Sequence, residues 1–577
     1  MTSAAKPKPK QAESSIKETI ISMIISLAMA LVAKSYVIEA FVIPTGSMAP
    51  TLLGKHMLFQ SPSSGYSWTV NPWYYLDPDV RNFPAPVQGD GGTHGPLVTD
   101  PMSTSRINQW FRGQLPSQRA YGFTLPPAEK PARAGDRILV QKYLYEIFPP
   151  KRFDVVVFKN PEDARDNFIK RLIGLPDEQV WLADGDVFAR PRTDAPTENE
   201  QALHEGWTVQ RKPDRIQRSL WRTVYSSEFA PLELTTGAAP WFKQPWLTDG
   251  FQTTDARVYT TSGPEPAILA WNLEDWPITN WVSYNEIGLD RSIQSRLYYP
   301  VGDIRIRAGI RPDGPGLAAT PLIRAAGHEF RADLRPDAAN PRRYDLRIER
   351  RPIEPANAPW ELMASDTVNR AVFAPGRTTA IEFWHADQAL SLWIDDRKAL
   401  SAEYDIDPVE RLRLVTGEDV SAPDLPSHFL YLGDNPTRYD RHIVGADWTL
   451  SGSGATLMRV GLDRDIYYEP ARYNAGSLAA VPALGTHPAN LATLNSDQFF
   501  VCGDNSPYSK DGRLWDRVDP WVANEIDPTM GVVARRLMLG KAFYVYFPAP
   551  YSHGRIGSRG IGRFLLGPDI GRMRFIK

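Results

Sequence analysis

Three separated segments carry residue types that could perform nucleophilic chemistry. The first is Phe41-Val42-Ile43-Pro44-Thr45-Gly46-Ser47-Met48-Ala49-Pro50-Thr51-Leu52. An extended run stops at a proline, turns at Gly46 and presents a serine between small or apolar neighbours. Glycine lets a ligand approach the backbone closely, and a serine there offers both a hydroxyl and an N–H. The same pattern also suits a turn serine that caps the next segment. The second is Asn167-Phe168-Ile169-Lys170-Arg171-Leu172-Ile173. Lys170 stands inside an apolar strand, on the face opposite to Ile169 and Arg171. If that face is buried, the ammonium loses solvation and a neutral amine becomes available as a base; if it is open, Lys170 is an ordinary surface lysine. The third is Gly503-Asp504-Asn505-Ser506-Pro507-Tyr508-Ser509-Lys510-Asp511-Gly512-Arg513. Gly-Asp-Asn is turn chemistry, and Asp511 and Arg513 share a face in an extended loop, where they could form a charge-assisted pair. Ser509 could hydrogen-bond a neighbouring amine.

The surrounding pattern predicts strands to hold these residues. Tyr36–Ile43, Arg137–Val140, Asp154–Phe158, Asn167–Ile173, Gln179–Leu182, Asp497–Val501 and Ala542–Phe547 all alternate or run with β-branched residues. They define a discontinuous core over 36–60, 133–190 and 496–550. Residues 61–132 read as an irregular insertion rich in Pro, Gly and Ser. Residues 191–475 carry short alternating runs such as Asp303–Ala308, Tyr344–Ile348 and Leu390–Ile394, which predict an inserted β-sandwich. The pair of runs Ile381–His385 and Leu392–Asp396 weakly resembles the paired strands of a laminin-G or concanavalin-like jelly roll.

Ahead of the serine segment, Ile20–Ala33 is free of charge, with Lys17 before it and Lys34 after it. This predicts a transmembrane anchor over 16–38, slightly short of the ~20 residues a span takes. A cleaved signal peptide and an amphipathic core helix are the competing readings. The basic stretch 1–15, with Lys6, Lys8 and Lys10, places the N-terminus on the cytoplasmic side by the positive-inside bias. The tail 551–577 is basic and reads as a solvated face or as an anionic-lipid contact.

In this order, the serine segment, Arg152–Phe158, the lysine strand and the Gly503-Asp504-Asn505 loop resemble the ordered boxes of type I signal peptidases, which also have one span just before the serine. The resemblance implies a mainly β catalytic core after one N-terminal transmembrane helix, on the outer face of a bacterial-type plasma membrane, with a jelly-roll-like insertion. It implies Ser47 as nucleophile and Lys170 as general base, with Thr45 and the Ser47 N–H as oxyanion donors. It implies that Ser509 orients the Lys170 amine and that Asp511 and Arg513 brace the loop. Phe41, Ile43, Met48, Leu52, Phe168 and Ile169 occupy the family's substrate-pocket positions. The implied substrates are the signal peptides of exported preproteins, and no cofactor is implied. Gly512 departs from the family's usual serine, and Asp177-Glu178 stand where Gly-Asp is usual. A second Gly-Asp-Asn, at 433–435, lacks the following serine and the Asp-x-Arg spacing.

Composition bounds the rest. A formal net charge of −2 gives no basic field for nucleic acid. One cysteine, Cys502, excludes an intramolecular disulfide and a Cys-based zinc site, and the nine histidines show no paired metal-ligand spacing. Asp395-Asp396 fits a hairpin turn better than a calcium site. The rival function is a membrane-tethered binding protein whose insertion recognises glycan or protein, with a vestigial peptidase.

Overall fold

The computed structural model describes residues 16–32, 37–61, 63–71, short pieces between 87 and 108, and then 133–193, 203–237, 239, 242–285, 298–337, 339–340, 343–369, 371–417, 443–470, 483–548, 551–552 and 566–577. The tail 1–15, most of 61–132, the second Gly-Asp-Asn and much of 551–577 lie outside the described residues.

The chain is mainly β. One antiparallel sheet collects strands from all three predicted core segments. Its order is Ile38–Val42, Arg137–Gln141, Met538–Phe547, Val155–Asn160, Asp163–Gly174, Gln498–Cys502 and Val533–Ala534, with Arg574–Phe575 added beside Met538–Phe547. Apolar side chains cover both faces, so the middle strands read as unbroken hydrophobic runs. Ile43, Ile138, Val140, Val155, Val157 and Ile169 pack on one face. Val156, Phe158, Leu172, Phe499, Val501 and Trp515 pack on the other. Ile38–Val42 lies at the sheet edge, paired only with Arg137–Gln141 among the described residues.

The insertion forms two seven-stranded antiparallel sheets. Strands such as Ile304–Pro312, Thr379–Ala386 and Ala389–Ile394 belong to one; Ala318–Ala325, His328–Pro336, Tyr344–Pro352 and Gly445–Ser451 belong to the other. Strict alternation of buried and half-buried residues along Ala318–Ala325 turns one face inward. Ile306, Phe383 and Leu392 from the first sheet meet Phe330, Leu346 and Trp448 from the second in one shared apolar core. That is a β-sandwich. Asp395 and Asp396 sit at positive φ in a hairpin turn between Ala389–Ile394 and Arg397–Glu403, and Arg377 pairs with Asp395.

A buried polar network joins the hairpin Glu178–Pro191 of the core to the sandwich. Asp186, Asp303 and Asp387 bring carboxylate oxygens within 4.8 Å of one another. Lys212 pairs with Asp387 and Asp465, and Arg411 with Asp184 at 2.8 Å. These two cations supply much of the compensation that buried carboxylates require.

The expected span over 16–38 is corrected in extent. The helix is Ile16–Val32, 17 residues, or roughly 25 Å at the α-helical rise, which is less than the ~30 Å hydrocarbon layer. Residues 33–36 lie outside the described residues, and Ile38–Val42 is committed to backbone pairing with Arg137–Gln141. Among the described residues no helix is long and apolar enough to cross a membrane. The helix is nonetheless strongly apolar and open, with Ile20, Met23, Ile24, Leu27 and Met29 all exposed.

Candidate active site

Ser47 begins a tight turn that follows the edge strand Ile38–Val42. Ala49 N–H donates to the Gly46 carbonyl at 2.9 Å, and Leu52 N–H to the Met48 carbonyl at 2.9 Å. The turn is clamped from below by Asp136, whose carboxylate accepts from Leu53 N–H at 2.9 Å. Lys170 lies on the strand Asp163–Gly174, opposite Val156. The Lys170 Nζ donates to Ser47 Oγ at 2.8 Å. Both are buried, at 3% and 8% exposure. Burial disfavours the ammonium and lowers the Lys170 pKa to about 8, although Asp511 pulls the other way. His56, the histidine closest in sequence to Ser47, is lowered to about 4 by burial and directs Nδ1 to the Gly54 carbonyl. The titratable group in contact with the serine is therefore an amine and not an imidazole.

The loop after Gln498–Cys502 closes over this pair. Arg513 makes two parallel hydrogen bonds to Asp511, each at 2.9 Å, and Asp511 Oδ2 also accepts from Gly503 N–H at 2.8 Å. Arg513 further donates to Ser506 Oγ at 2.6 Å. Burial opposes both charges, but each partner offsets it, so Asp511 is held below and Arg513 above its ordinary pKa. Ser509 is placed differently from the implied role. Among the described residues its Oγ is buried without a hydrogen-bond partner, against Gly503. Gly503 has no room for a side chain: a Cβ there would lie 2.2 Å from Ser509 Oγ and 2.5 Å from the Ser47 carbonyl oxygen. Gly503→Ala is expected to cost about 1–3 kcal/mol by overpacking, read as a lower urea midpoint; an unchanged midpoint would show that the loop gives way freely.

The sequence-predicted pocket residues divide. Ile43, Met48 and Leu52 are at 2%, 0% and 0% exposure, and Ile169 at 8%. They share one apolar core and have almost no surface to offer a ligand. Phe41 is half-buried against the same core, and half-buried Phe168 lies on the opposite face, its ring centroid 5.2 Å from Lys170 Nζ. Thr45 is exposed beside the turn. Among the described residues no acceptor takes the Ser47 N–H.

Several contributors escape the sequence reading. Arg171, next to Lys170, points to the other face and forms a fully buried pair with Asp504, at 2.7 Å through Nε and 2.7 Å through Nη2. Thr51 Oγ1 donates to Asp504 Oδ2 at 2.6 Å and accepts from Arg222 of the insertion at 2.7 Å. Asn505 N–H donates to the Ser47 carbonyl at 3.0 Å, and its Nδ2 donates to the Gly46 carbonyl at 2.9 Å. The available signal was Arg171 itself: an arginine in an apolar strand requires a buried acid.

A serine hydroxyl bonded to a desolvated amine, beside an unused backbone N–H, can perform acyl transfer. Comparison with known proteins agrees at the level of the family. The family model described as "Signal peptidase, peptidase S26" matches residues 127–219, which include Lys170. A probable signal peptidase I-2 of Synechocystis sp. is 39% identical over 66 residues, covering 10% of this chain and 30% of that protein. Signal peptidase I of Leptolyngbya laminosa is 36% identical over 86 residues, covering 14% and 37%. Signal peptidase I of Rickettsia typhi is 23% identical over 220 residues, covering 38% and 59%. The chain thus spans about a third of the length of the first two relatives. Among solved structures, the carbohydrate-binding module CBM66 from Bacillus subtilis overlays 38% of this chain and 96% of its own, with 10% identity and a TM-score of 0.21. Over residues 127–219 the chain is thus similar to the signal peptidase, peptidase S26 family, and in shorter stretches to signal peptidase I.

Proposed function

We propose that the protein is a membrane-bound serine endopeptidase that removes N-terminal signal peptides from exported preproteins. The observation that carries this reading is the 2.8 Å hydrogen bond from Lys170 Nζ to Ser47 Oγ in a buried site. Neutral Lys170 accepts the Ser47 proton as Oγ attacks the scissile carbonyl. The Ser47 N–H and the Thr45 hydroxyl receive the developing oxyanion. Lys170 then gives the proton to the leaving amine, and the acyl-enzyme is released by water, which Lys170 deprotonates in turn. The edge strand Ile38–Val42 can accept the substrate backbone as an added strand, with Phe41 and Phe168 as the half-buried aromatics nearest the dyad segments. The exposed apolar helix Ile16–Val32 holds the chain at a lipid bilayer, whose local thinning accommodates the short helix, with the basic stretch before it on the cytoplasmic side and the catalytic core on the outer face.

The test is cleavage of a preprotein with an Ala-x-Ala site by the detergent-solubilised full chain, wild type against Ser47→Ala. Cleavage by the wild type alone supports the reading. Cleavage by both sinks it, and no cleavage by either folded form moves the reading to a tethered binding protein. The pH dependence has a definite sign. Burial makes Lys170 neutral above about pH 8, so kcat/KM is expected to be low in acid and to rise through about pH 8 to a plateau. A flat profile from about pH 6 to about pH 10 would contradict a lysine base.

A further inference from the structure

The insertion does more than hang from the core: it reaches the serine turn. Tyr284 and Asn285 lie between two sandwich strands, Ala267–Trp271 and Ile304–Pro312. The Tyr284 ring lies directly on Gly46, where a Cβ would come within 2.3 Å of Cε1. Its hydroxyl donates to the Lys55 carbonyl at 3.3 Å, and the residue packs with Ala49 and Leu53 of the turn and with Val282. The Asn285 carboxamide pairs reciprocally with that of Asn505, 2.7 Å in each direction, and the two residues are at 3% and 0% exposure.

We propose that Asn285 is a positioning residue for the oxyanion donor, so that the insertion completes the active site. This rests on the peptidase reading of Ser47 and Lys170. The Gly46 carbonyl and the Ser47 N–H belong to one planar peptide unit, so holding the oxygen fixes the direction of the N–H. That oxygen has two donors, Ala49 N–H and Asn505 Nδ2, each at 2.9 Å. Asn505 can give Nδ2 to the Gly46 carbonyl only in one of its two carboxamide orientations. The Gly46 carbonyl, which only accepts, sets that orientation, and Asn285 holds the Asn505 side chain in it, accepting from Asn505 Nδ2 and donating to Asn505 Oδ1. Without it, the Asn505 carboxamide loses the partner that holds it, and Nδ2 is free to move away from the Gly46 carbonyl. The neighbouring bond from Asn505 N–H to the Ser47 carbonyl holds the other side of the nucleophile.

The experiment measures steady-state cleavage of an Ala-x-Ala preprotein by the full chain carrying Asn285→Ala, Asn285→Asp, Asn505→Ala or the Asn285→Ala/Asn505→Ala pair, with melting curves for each. Loss of one oxyanion donor lowers kcat by roughly 100- to 1,000-fold, so its misorientation in Asn285→Ala is expected to lower kcat by about 10- to 100-fold. KM should stay within about twofold, and the midpoint near pH 8 should not move, because the Lys170 surroundings are unchanged. Asn285→Asp, which can still accept from Asn505 Nδ2 but cannot donate to Oδ1, should fall between wild type and Asn285→Ala and serves if the alanine form fails to fold. The double variant should be no worse than Asn505→Ala alone. A residue that only glues the insertion to the core would lower the melting temperature and leave kcat intact. The inference is overturned by a folded Asn285→Ala or Asn285→Asp with wild-type kcat, by a loss confined to KM, or by additive effects in the pair. Cleavage surviving Ser47→Ala overturns the peptidase reading and this inference together, whereas a dead Ser47→Ala beside a fully active Asn285→Ala overturns the inference alone.

Discussion

Lys170→Met is expected to abolish turnover and at the same time to stabilise the fold at neutral pH. The loss of turnover should be on the order of 10⁴-fold or more, as for removal of the base in serine hydrolases. The gain in stability comes from burial. Lys170 is 3% exposed, and burial lowers its pKa from 10.5 to about 8. Below about pH 8 the lysine is protonated in both the folded and the unfolded chain, and the folded state bears the full cost of the buried charge. A tenfold change in proton affinity corresponds to about 1.4 kcal/mol, so removal of the charge should stabilise by roughly 1–3 kcal/mol, less the contribution of the lost bond to Ser47. Between pH 8 and 10.5 the unfolded chain retains a proton that the native chain has shed, so wild-type stability rises with pH. The two proteins should therefore differ most at pH 7 and converge in strong alkali. Urea unfolding at both extremes checks this. A less stable methionine variant at pH 7 would mean that Lys170 is an ordinary solvated lysine.

Arg171→Met carries the largest expected structural penalty. Arg171 and Asp504 are fully buried and doubly hydrogen-bonded. Burial works against both charges, but each holds the other ionised, with Asp504 kept below its ordinary value. Removing the guanidinium leaves a buried carboxylate with Thr51, among the described residues, as its one hydrogen-bond donor from a side chain, at a cost of about 3–5 kcal/mol. The double variant Arg171→Met/Asp504→Leu should recover most of that loss, since the cost lies in the unpaired charge and not in the missing pair. Thermal melting of the single and double variants decides it. Equal destabilisation by both would show that packing, not charge, dominates at this position. Activity should fall with the single variant as well, because the residue after Asp504, Asn505, holds the Ser47 carbonyl.

The sequence made parts of this legible for identifiable reasons. The period-2 pattern of the sandwich strands is local, so runs such as Ile304–Pro312 and Ala389–Ile394 could be read directly. Ser47, Lys170, Asp511 and Arg513 sat in motifs whose residue types limit what they can do, and the structure pairs Lys170 with Ser47 and Arg513 with Asp511, all four buried. Apolar types were less informative. Ile43, Met48 and Leu52 suit a pocket wall and a core equally, and they are core. The end of the helix Ile16–Val32 was overrun because an apolar β-branched run such as Tyr36–Ile43 continues a hydrophobic stretch without marking a change of period. Asn285 and Asn505 could not be paired by inspection, since 220 residues separate them and neither sits in a pattern that demands the other. The Ser509 hydroxyl shows the limit of a motif: the resemblance implied that it orients the Lys170 amine, but among the described residues its Oγ has no hydrogen-bond partner.

The central claim is that Ser47 Oγ, activated by Lys170, becomes acylated. Mass spectrometry of the full chain, acid-quenched during cleavage of an Ala-x-Ala preprotein, addresses it directly. The account predicts an adduct with the mass of the signal-peptide acyl group, mapped to the peptide containing Ser47, absent from Ser47→Ala and diminished in Lys170→Met. An adduct on another residue, or cleavage proceeding in Ser47→Ala, would contradict it.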